Sequence, residues 1–227
     1  MKIEFSQVSK SYAGTKQALQ DVSFTIPSEE MVFVTGHSGA GKSTLLKLIA
    51  LIERPSSGQI FINDRNLASF KHRDIPFHRR NIGVVFQENT LINDFNVFRN
   101  VAMPLEISHT HPQEIKKRVN AALDKVGLLN KARQFPDQLS AGQHQRVGIA
   151  RAIVSRPALL LADEPTGNLD SNLSDDITDL FASFNQVGIT VIIATHENRQ
   201  LKRFNHPVID LKEGQINRVY QSSEADL

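Results

Sequence analysis

The run Gly36-His37-Ser38-Gly39-Ala40-Gly41-Lys42-Ser43-Thr44 constrains this chain more than any other feature. It follows a continuous apolar run, residues 31–35, and opens a stretch over residues 42–52 with apolar side chains on one face. Strand, glycine loop and helix in that order form a phosphate-binding loop. The glycines let the backbone curl so that its N–H groups point at a β-phosphate, and the helix N-terminus adds partial positive charge. In this arrangement Lys42 bridges the β- and γ-phosphates of ATP, Ser43 offers a hard oxygen to Mg²⁺, and Thr44 caps the α-phosphate side. The competing reading, an ordinary glycine turn before a helix, fits this context poorly.

A second run, Leu159-Leu160-Leu161-Ala162-Asp163-Glu164, is an apolar strand that ends in two acids. Adjacent carboxylates at the carboxyl edge of a parallel strand, where such folds place ligands, are costly to assemble without a cation or a shared proton. Asp163 can hold Mg²⁺ through water, and Glu164 can orient or deprotonate an attacking water. A solvated acidic strand end explains a lone Asp-Glu pair, but explains less beside a complete phosphate loop. His196 follows the apolar run ITVIIAT and reaches the edge of the same site, where it can contact a γ-phosphate. A lone histidine is usually structural or exposed; its place after a core strand is what singles it out. Gln87 ends the run IGVVF, where its amide can touch Mg²⁺ and the attacking water, although a strand-end glutamine alone proves nothing.

With 227 residues the chain is long enough for one domain with an inserted lobe, and without cysteine it has neither a disulfide framework nor a thiolate nucleophile. Twenty-six Lys and Arg against 24 Asp and Glu leave a net charge of +2, so no nucleic-acid footprint is expected. The start, MKIEFSQVSKSY, has no apolar run suited to a signal peptide, and no segment approaches the ~20 apolar residues of a membrane-spanning helix. Any link to a membrane is expected through a partner.

KIEFSQVS and DVSFTI alternate like half-wet strands and predict a small antiparallel sheet. QIFIN and IGVVF read as two more strands, separated by a polar, basic link over residues 66–80. Residues 98–156 are helical in pattern, with Pro112 opening a stretch in which Ile115, Val119, Ala122, Leu123 and Val126 recur until Gly127 stops it. ALLLAD and ITVIIAT look like strands buried on both faces of a parallel sheet, with an amphipathic helix at 173–187 between them. PVIDLKEGQINRVY reads as a closing hairpin turned at Glu213-Gly214, and the tail QSSEADL is too short for a further domain. The expected fold class is α/β, one domain over residues 1–227 with a mostly parallel core sheet and an N-terminal antiparallel β subdomain. Its core lies at about 1–88 and 157–227, and an inserted α-helical lobe at about 89–156.

On these residues the chain resembles the ATP-binding cassette (ABC) family of P-loop NTPases over nearly its whole length. Leu139-Ser140-Ala141-Gly142-Gln143 is similar to the family's LSGGQ signature, and Gly167-Asn168-Leu169-Asp170 to its D-loop. Gln87 matches the Q-loop, His196 the switch histidine, and Tyr12 falls where the family stacks an aromatic ring on adenine. The resemblance implies ATP hydrolysis, with Glu164, His196 and Gln87 in catalysis and Mg²⁺ held by Ser43, Gln87 and Asp163. Nucleotide contacts are implied for Tyr12, for each residue from Gly36 to Thr44, and for Ser140, Ala141, Gly142 and Gln143 reaching from a second copy, so that a homodimer closes on ATP. Ala141 departs from the family's glycine, and its methyl limits backbone approach to the γ-phosphate. Activity is nonetheless expected, because Ser140, Gly142 and Gln143 remain.

ADEPTGNLD resembles the branch of lipoprotein-release, macrolide-efflux and cell-division ATPases. GHSGAGKSTLLKLI, ERPSSG, IPFHRRNIGVVFQ and VNAALDKVGLL look most like its cell-division members. That resemblance implies an integral-membrane partner of the FtsX type at the cytoplasmic face of the inner membrane, contact with other division-machinery proteins, and signalling to cell-wall hydrolases instead of solute carriage. An exporter ATPase of the lipoprotein or macrolide kind shares every catalytic residue and is the alternative. A non-hydrolysing recruitment switch is a third reading, disfavoured by Glu164 and His196. The partner surface is expected at residues 88–98 and 103–106, with Phe95, Val97 and Leu105 either receiving a partner's helix or filling the lobe's own core.

Overall fold

The computed structural model describes residues 1–14, 17–87, 90–167 and 169–221; Glu88, Asn168 and the tail from residue 222 lie outside the described residues. β1 (Ile3–Lys10) and β2 (Leu19–Ile26) pair antiparallel, with the rings of Phe5 and Phe24 stacked 4.6 Å apart. β3 (Met31–Thr35) leads through the glycine loop into α1 (Lys42–Ile49). β4 (Ser57–Ile62) and β5 (Arg65–Asn66) extend the first pair into an antiparallel sheet of order β2-β1-β4-β5. After α2 (Ile75–Arg80) and β6 (Ile82–Val85) comes the helical insert of α3 (Val97–Ile107), α4 (Pro112–Lys125) and α5 (Ala141–Ile153). β7 (Leu159–Asp163), α6 (Ser171–Gln186), β8 (Thr190–Ala194), α7 (Asn198–Arg203), β9 (Pro207–Lys212) and β10 (Gln215–Gln221) follow. The second sheet has the order β10-β9-β3-β8-β7-β6 and is parallel except for β10.

Apolar strands without polar alternation need cover on both faces, and the pleat divides their residues between two cores. Met31 and Phe33 of β3, Leu160 and Ala162 of β7, and Val191 and Ile193 of β8 pack with the helices α3 to α6. Their neighbours Val32, Val34, Leu159, Leu161, Ile192 and Ala194 pack instead with Leu45, Leu48 and Ile49 of α1 and with Ile3 and Phe5 of the antiparallel sheet. With both faces covered, the carboxyl ends of β3, β7 and β8 form the edge at which ligands bind in sheets of this kind.

The link read as polar and basic holds a helix, α2, and its cause lies in α1, which stops at Ile49 instead of running on to residue 52. The last carbonyls of a helix need partners. Buried His78 donates from Nε2 to Ile49 O at 2.8 Å, and Arg79 Nη2 donates to Leu51 O at 2.7 Å. Burial holds the His78 pKa below its ordinary 6.5; the Ile49 bond works against this, and Arg79 adds to it. The unfolded chain therefore takes up a proton that the folded chain refuses, so the stability tied to this group is present above about pH 6.5 and is lost as pH falls below it. His78→Gln should lose less denaturation midpoint than the wild type between about pH 7 and about pH 5.5. An equal loss in both proteins contradicts the assignment.

Of the two readings held open for Val97 and Leu105, the structure takes the core. Val97 and Leu105 are 0% and 2% exposed, because Val97, Val101 and Leu105 recur every four residues as the buried stripe of α3. Phe95 is half-buried, with the Arg99 guanidinium 3.8 Å from its ring centroid. The loop before α3 is pinned by buried Asn100, whose side chain accepts from Ile92 N and donates to Phe95 O, both at 2.8 Å.

Candidate active site

The edge formed by β3, β7 and β8 opens into a cleft of about 400 Å³, lined by Ala18, every residue from His37 to Thr44, Gln87, Glu164 and His196. Gly36, which leads into these loop residues, has φ 142°, and a Cβ there would lie 2.3 Å from the Leu211 carbonyl oxygen, so no other residue passes so close to β9. Gly41 is the N-cap of α1 at φ 109°, and no side chain caps the first turn. The leading amides of α1 are left for an anion.

Lys42 is only 7% exposed. Its ammonium donates to Gly36 O at 2.7 Å and lies 3.3 Å from Glu164 Oε1. Glu164 follows β7 in the left-handed region, φ 48°, and its other oxygen, Oε2, accepts from His196 Nδ1 at 2.8 Å. The phosphate-loop cation, the strand-end acid and the histidine after β8 thus meet at one point. Gln87 stands on the same cleft, its Nε2 about 4.0 Å from the Cβ position of Gly167.

Asp163 lies behind this group, near enough to the Ser43 hydroxyl for that group to bear on its titration. Burial pushes its carboxyl up, the Ser43 hydroxyl pulls it down, and the Glu164 charge raises it again. Its Oδ1 is buried with no hydrogen-bond partner among the described residues. A buried orphan carboxylate oxygen beside a serine hydroxyl fits a hydrated Mg²⁺, which takes hard oxygens and keeps several waters. Among the described residues no group of three or more His, Cys, Asp or Glu could hold a metal. Ser43, Asp163 and substrate phosphate oxygens therefore suit this ion better than an all-protein cage.

The family model described as ABC transporter matches residues 19–167, well over half of the chain. The chain belongs to the ABC transporter family. It is 54% identical over 215 residues to the cell division ATP-binding protein FtsE of Escherichia coli (strain K12), covering 95% of this chain and 97% of that one. It is 48% identical over 216 residues to the FtsE of Bacillus subtilis (strain 168), covering 95% of each. Among solved structures it matches a dimeric ATP-binding cassette in a post-hydrolysis state bound to ADP and Pi. There the TM-score is 0.88 at 33% identity, with 97% of this chain and 98% of that one covered. This chain is an ABC ATPase.

The other expected site residues of this ABC chain stand apart from the phosphate cleft. Tyr12 is half-buried, with Lys10 Nζ 4.9 Å from its ring centroid, and does not line the cleft. Ser140 caps α5: its hydroxyl accepts from Gln143 N at 3.4 Å, and Gln143 Oε1 accepts from Ser140 N at 3.1 Å. Ala141 is exposed, while at Gly142 a Cβ would stand 2.9 Å from Leu173 Cδ2 of α6. The signature is thus presented on a separate surface of this chain. Two contacts were not foreseen, Leu173 against Gly142 and the bond from buried Thr166 Oγ1 to Glu197 Oε1 at 3.0 Å. Glu197 directly follows His196, the sole sequence signal for the latter.

Proposed function

We propose that this chain is the ATPase subunit of a membrane complex of the cell-division type, in which two copies close around two ATP and pass that motion to an integral-membrane partner like FtsX. The observation that carries this reading is the 54% identity, over 95% of the chain, to the E. coli cell division ATP-binding protein FtsE. The core at 1–88 and 157–227 binds the nucleotide, the lobe at 89–156 presents the signature to the other copy, and the partner holds the dimer at the cytoplasmic face of the inner membrane. Among the described residues no helix is long and apolar enough to cross a membrane.

Hydrolysis follows from the Lys42-Glu164-His196 cluster. A γ-phosphate competes for the Lys42 ammonium and so frees Glu164, which takes the proton of a water attacking the γ-phosphorus in line, as the bond from that phosphorus to the β,γ-bridging oxygen breaks and ADP leaves. His196 donates to the phosphate, and Gln87 orients the water. Mg²⁺, held by Ser43 and Asp163 with Gln87 beside it, would neutralise charge on the phosphates. Ser140, Gly142 and Gln143 of the second copy complete the site. Because Ala141 is exposed and the cap around it intact, Ala141→Gly should change ATP-driven dimerisation and turnover by no more than a few-fold. A wild type nearly unable to dimerise, restored by this change, contradicts the reading.

The partner's cytoplasmic helix fits the groove between Pro76, Arg79 and Arg80 of α2 and Met103, Pro104 and Ile107 of α3, which keeps the expected 103–106 segment but replaces Val97 and Leu105. The test is co-purification of the Glu164→Gln protein from native membranes with ATP, and identification of the integral-membrane protein that comes with it. A polytopic division protein supports the reading. A partner that handles lipoproteins or drugs moves the chain to the exporter alternative.

A further inference from the structure

Between Arg65 and Arg80 the chain holds five Lys and Arg against one Asp, although its total surplus is only +2. Lys71, His72, Arg73, Arg79 and Arg80 are all exposed. The single acid, Asp74, is already engaged, 4.0 Å from Arg65 and accepting from Lys71 N at 2.9 Å. Within this strip Phe77 is 64% exposed, with the Arg80 guanidinium 5.2 Å from its ring centroid. Ile107 of α3, across the groove from Arg80, is 66% exposed. An aromatic ring left in water among cations is an uncovered apolar surface with charge of one sign around it.

We propose that this strip rests on an anionic phospholipid surface, with Lys71, Arg73 and Arg80 at headgroup phosphates and Phe77 entering the boundary between headgroups and acyl chains. Charge complementarity argues for the anionic partner. Exposure argues for lipid over a protein segment: Phe77 does not line the groove and is left largely in water, which suits a deformable layer better than a packed side-chain surface. Position agrees, since Arg80 belongs both to the strip and to the groove assigned to the membrane partner. The proposal takes its setting from the membrane-complex reading, but its contacts need neither the partner nor nucleotide.

The test is co-sedimentation of the purified full chain with vesicles of neutral phosphatidylcholine, and with vesicles that also contain anionic phosphatidylglycerol. The chain should bind the anionic vesicles and not the neutral ones, and about 0.5 M salt should release most of it. Reversing two charges, Lys71→Glu with Arg73→Glu, should weaken binding at least about tenfold while ATP turnover in solution stays unchanged, which shows that the fold is intact. Phe77→Ser should weaken binding while the salt dependence persists. Equal binding to both vesicles, no binding to the anionic ones, or undiminished binding by the double charge variant overturns the proposal. If that variant loses only co-purification with the membrane protein, while the wild type fails to bind vesicles, the strip is a protein contact and the proposal is wrong. The identity of the partner is read in a separate experiment, so either idea can fail alone.

Discussion

Glu164→Gln is expected to slow ATP turnover at least about a hundredfold and to leave ATP binding in place. Glu164 is 11% exposed and held on both sides, 3.3 Å from Lys42 and 2.8 Å from His196. Glutamine has the same shape and still offers an oxygen to His196, so the cleft keeps its form. It cannot accept the proton of an attacking water, which removes the general base alone. It also removes the negative charge opposite Lys42, so an incoming phosphate meets less competition and ATP affinity should be equal to or above that of the wild type. Single-turnover phosphate release together with an ATP titration reads both quantities. Wild-type turnover in this variant would remove Glu164 from the chemistry.

Lys42→Ala should instead lose nucleotide affinity, by on the order of 2 to 4 kcal/mol or roughly 30- to 1,000-fold in Kd. The substitution removes a nearly buried cation that faces the phosphate position and that also ties down Gly36 O at 2.7 Å. It further leaves Glu164, itself nearly buried, without its counter-charge, which is costly in its own right. Lys42→Ala should therefore also unfold at lower denaturant, and adding Glu164→Gln should recover part of that loss because no uncompensated carboxylate remains. Unchanged ATP affinity in Lys42→Ala, measured by equilibrium titration, counts against the role given to this lysine.

Much of the site was legible because phosphate chemistry needs contiguous residues. The loop from Gly36 to Thr44 and the Asp163-Glu164 pair can be read off the chain, and apolar runs as unbroken as ALLLAD and ITVIIAT leave few choices besides a doubly covered parallel sheet. What escaped depends on partners distant in sequence. α2 exists because His78 and Arg79 satisfy carbonyls at the end of α1, and α7 because Arg199 and Arg203 bind Asp175 and Asp179 of α6 at 2.6 Å each. Neither short helix has a hydrophobic period that could announce it. Val97 and Leu105 were ambiguous because an apolar residue beside a functional loop looks the same in sequence whether it faces core or partner. The contact between Lys42 and Glu164 was likewise invisible, since each residue taken alone points to a phosphate or a water and not to the other.

The most direct test of the central claim, that two copies of this chain close on ATP, is the solution mass of the Glu164→Gln protein by light scattering with Mg²⁺ and either ATP or ADP. The account predicts twice the chain mass with ATP and the single-chain mass with ADP. A single-chain mass in both, at an ATP concentration shown by titration to fill the site, would contradict it.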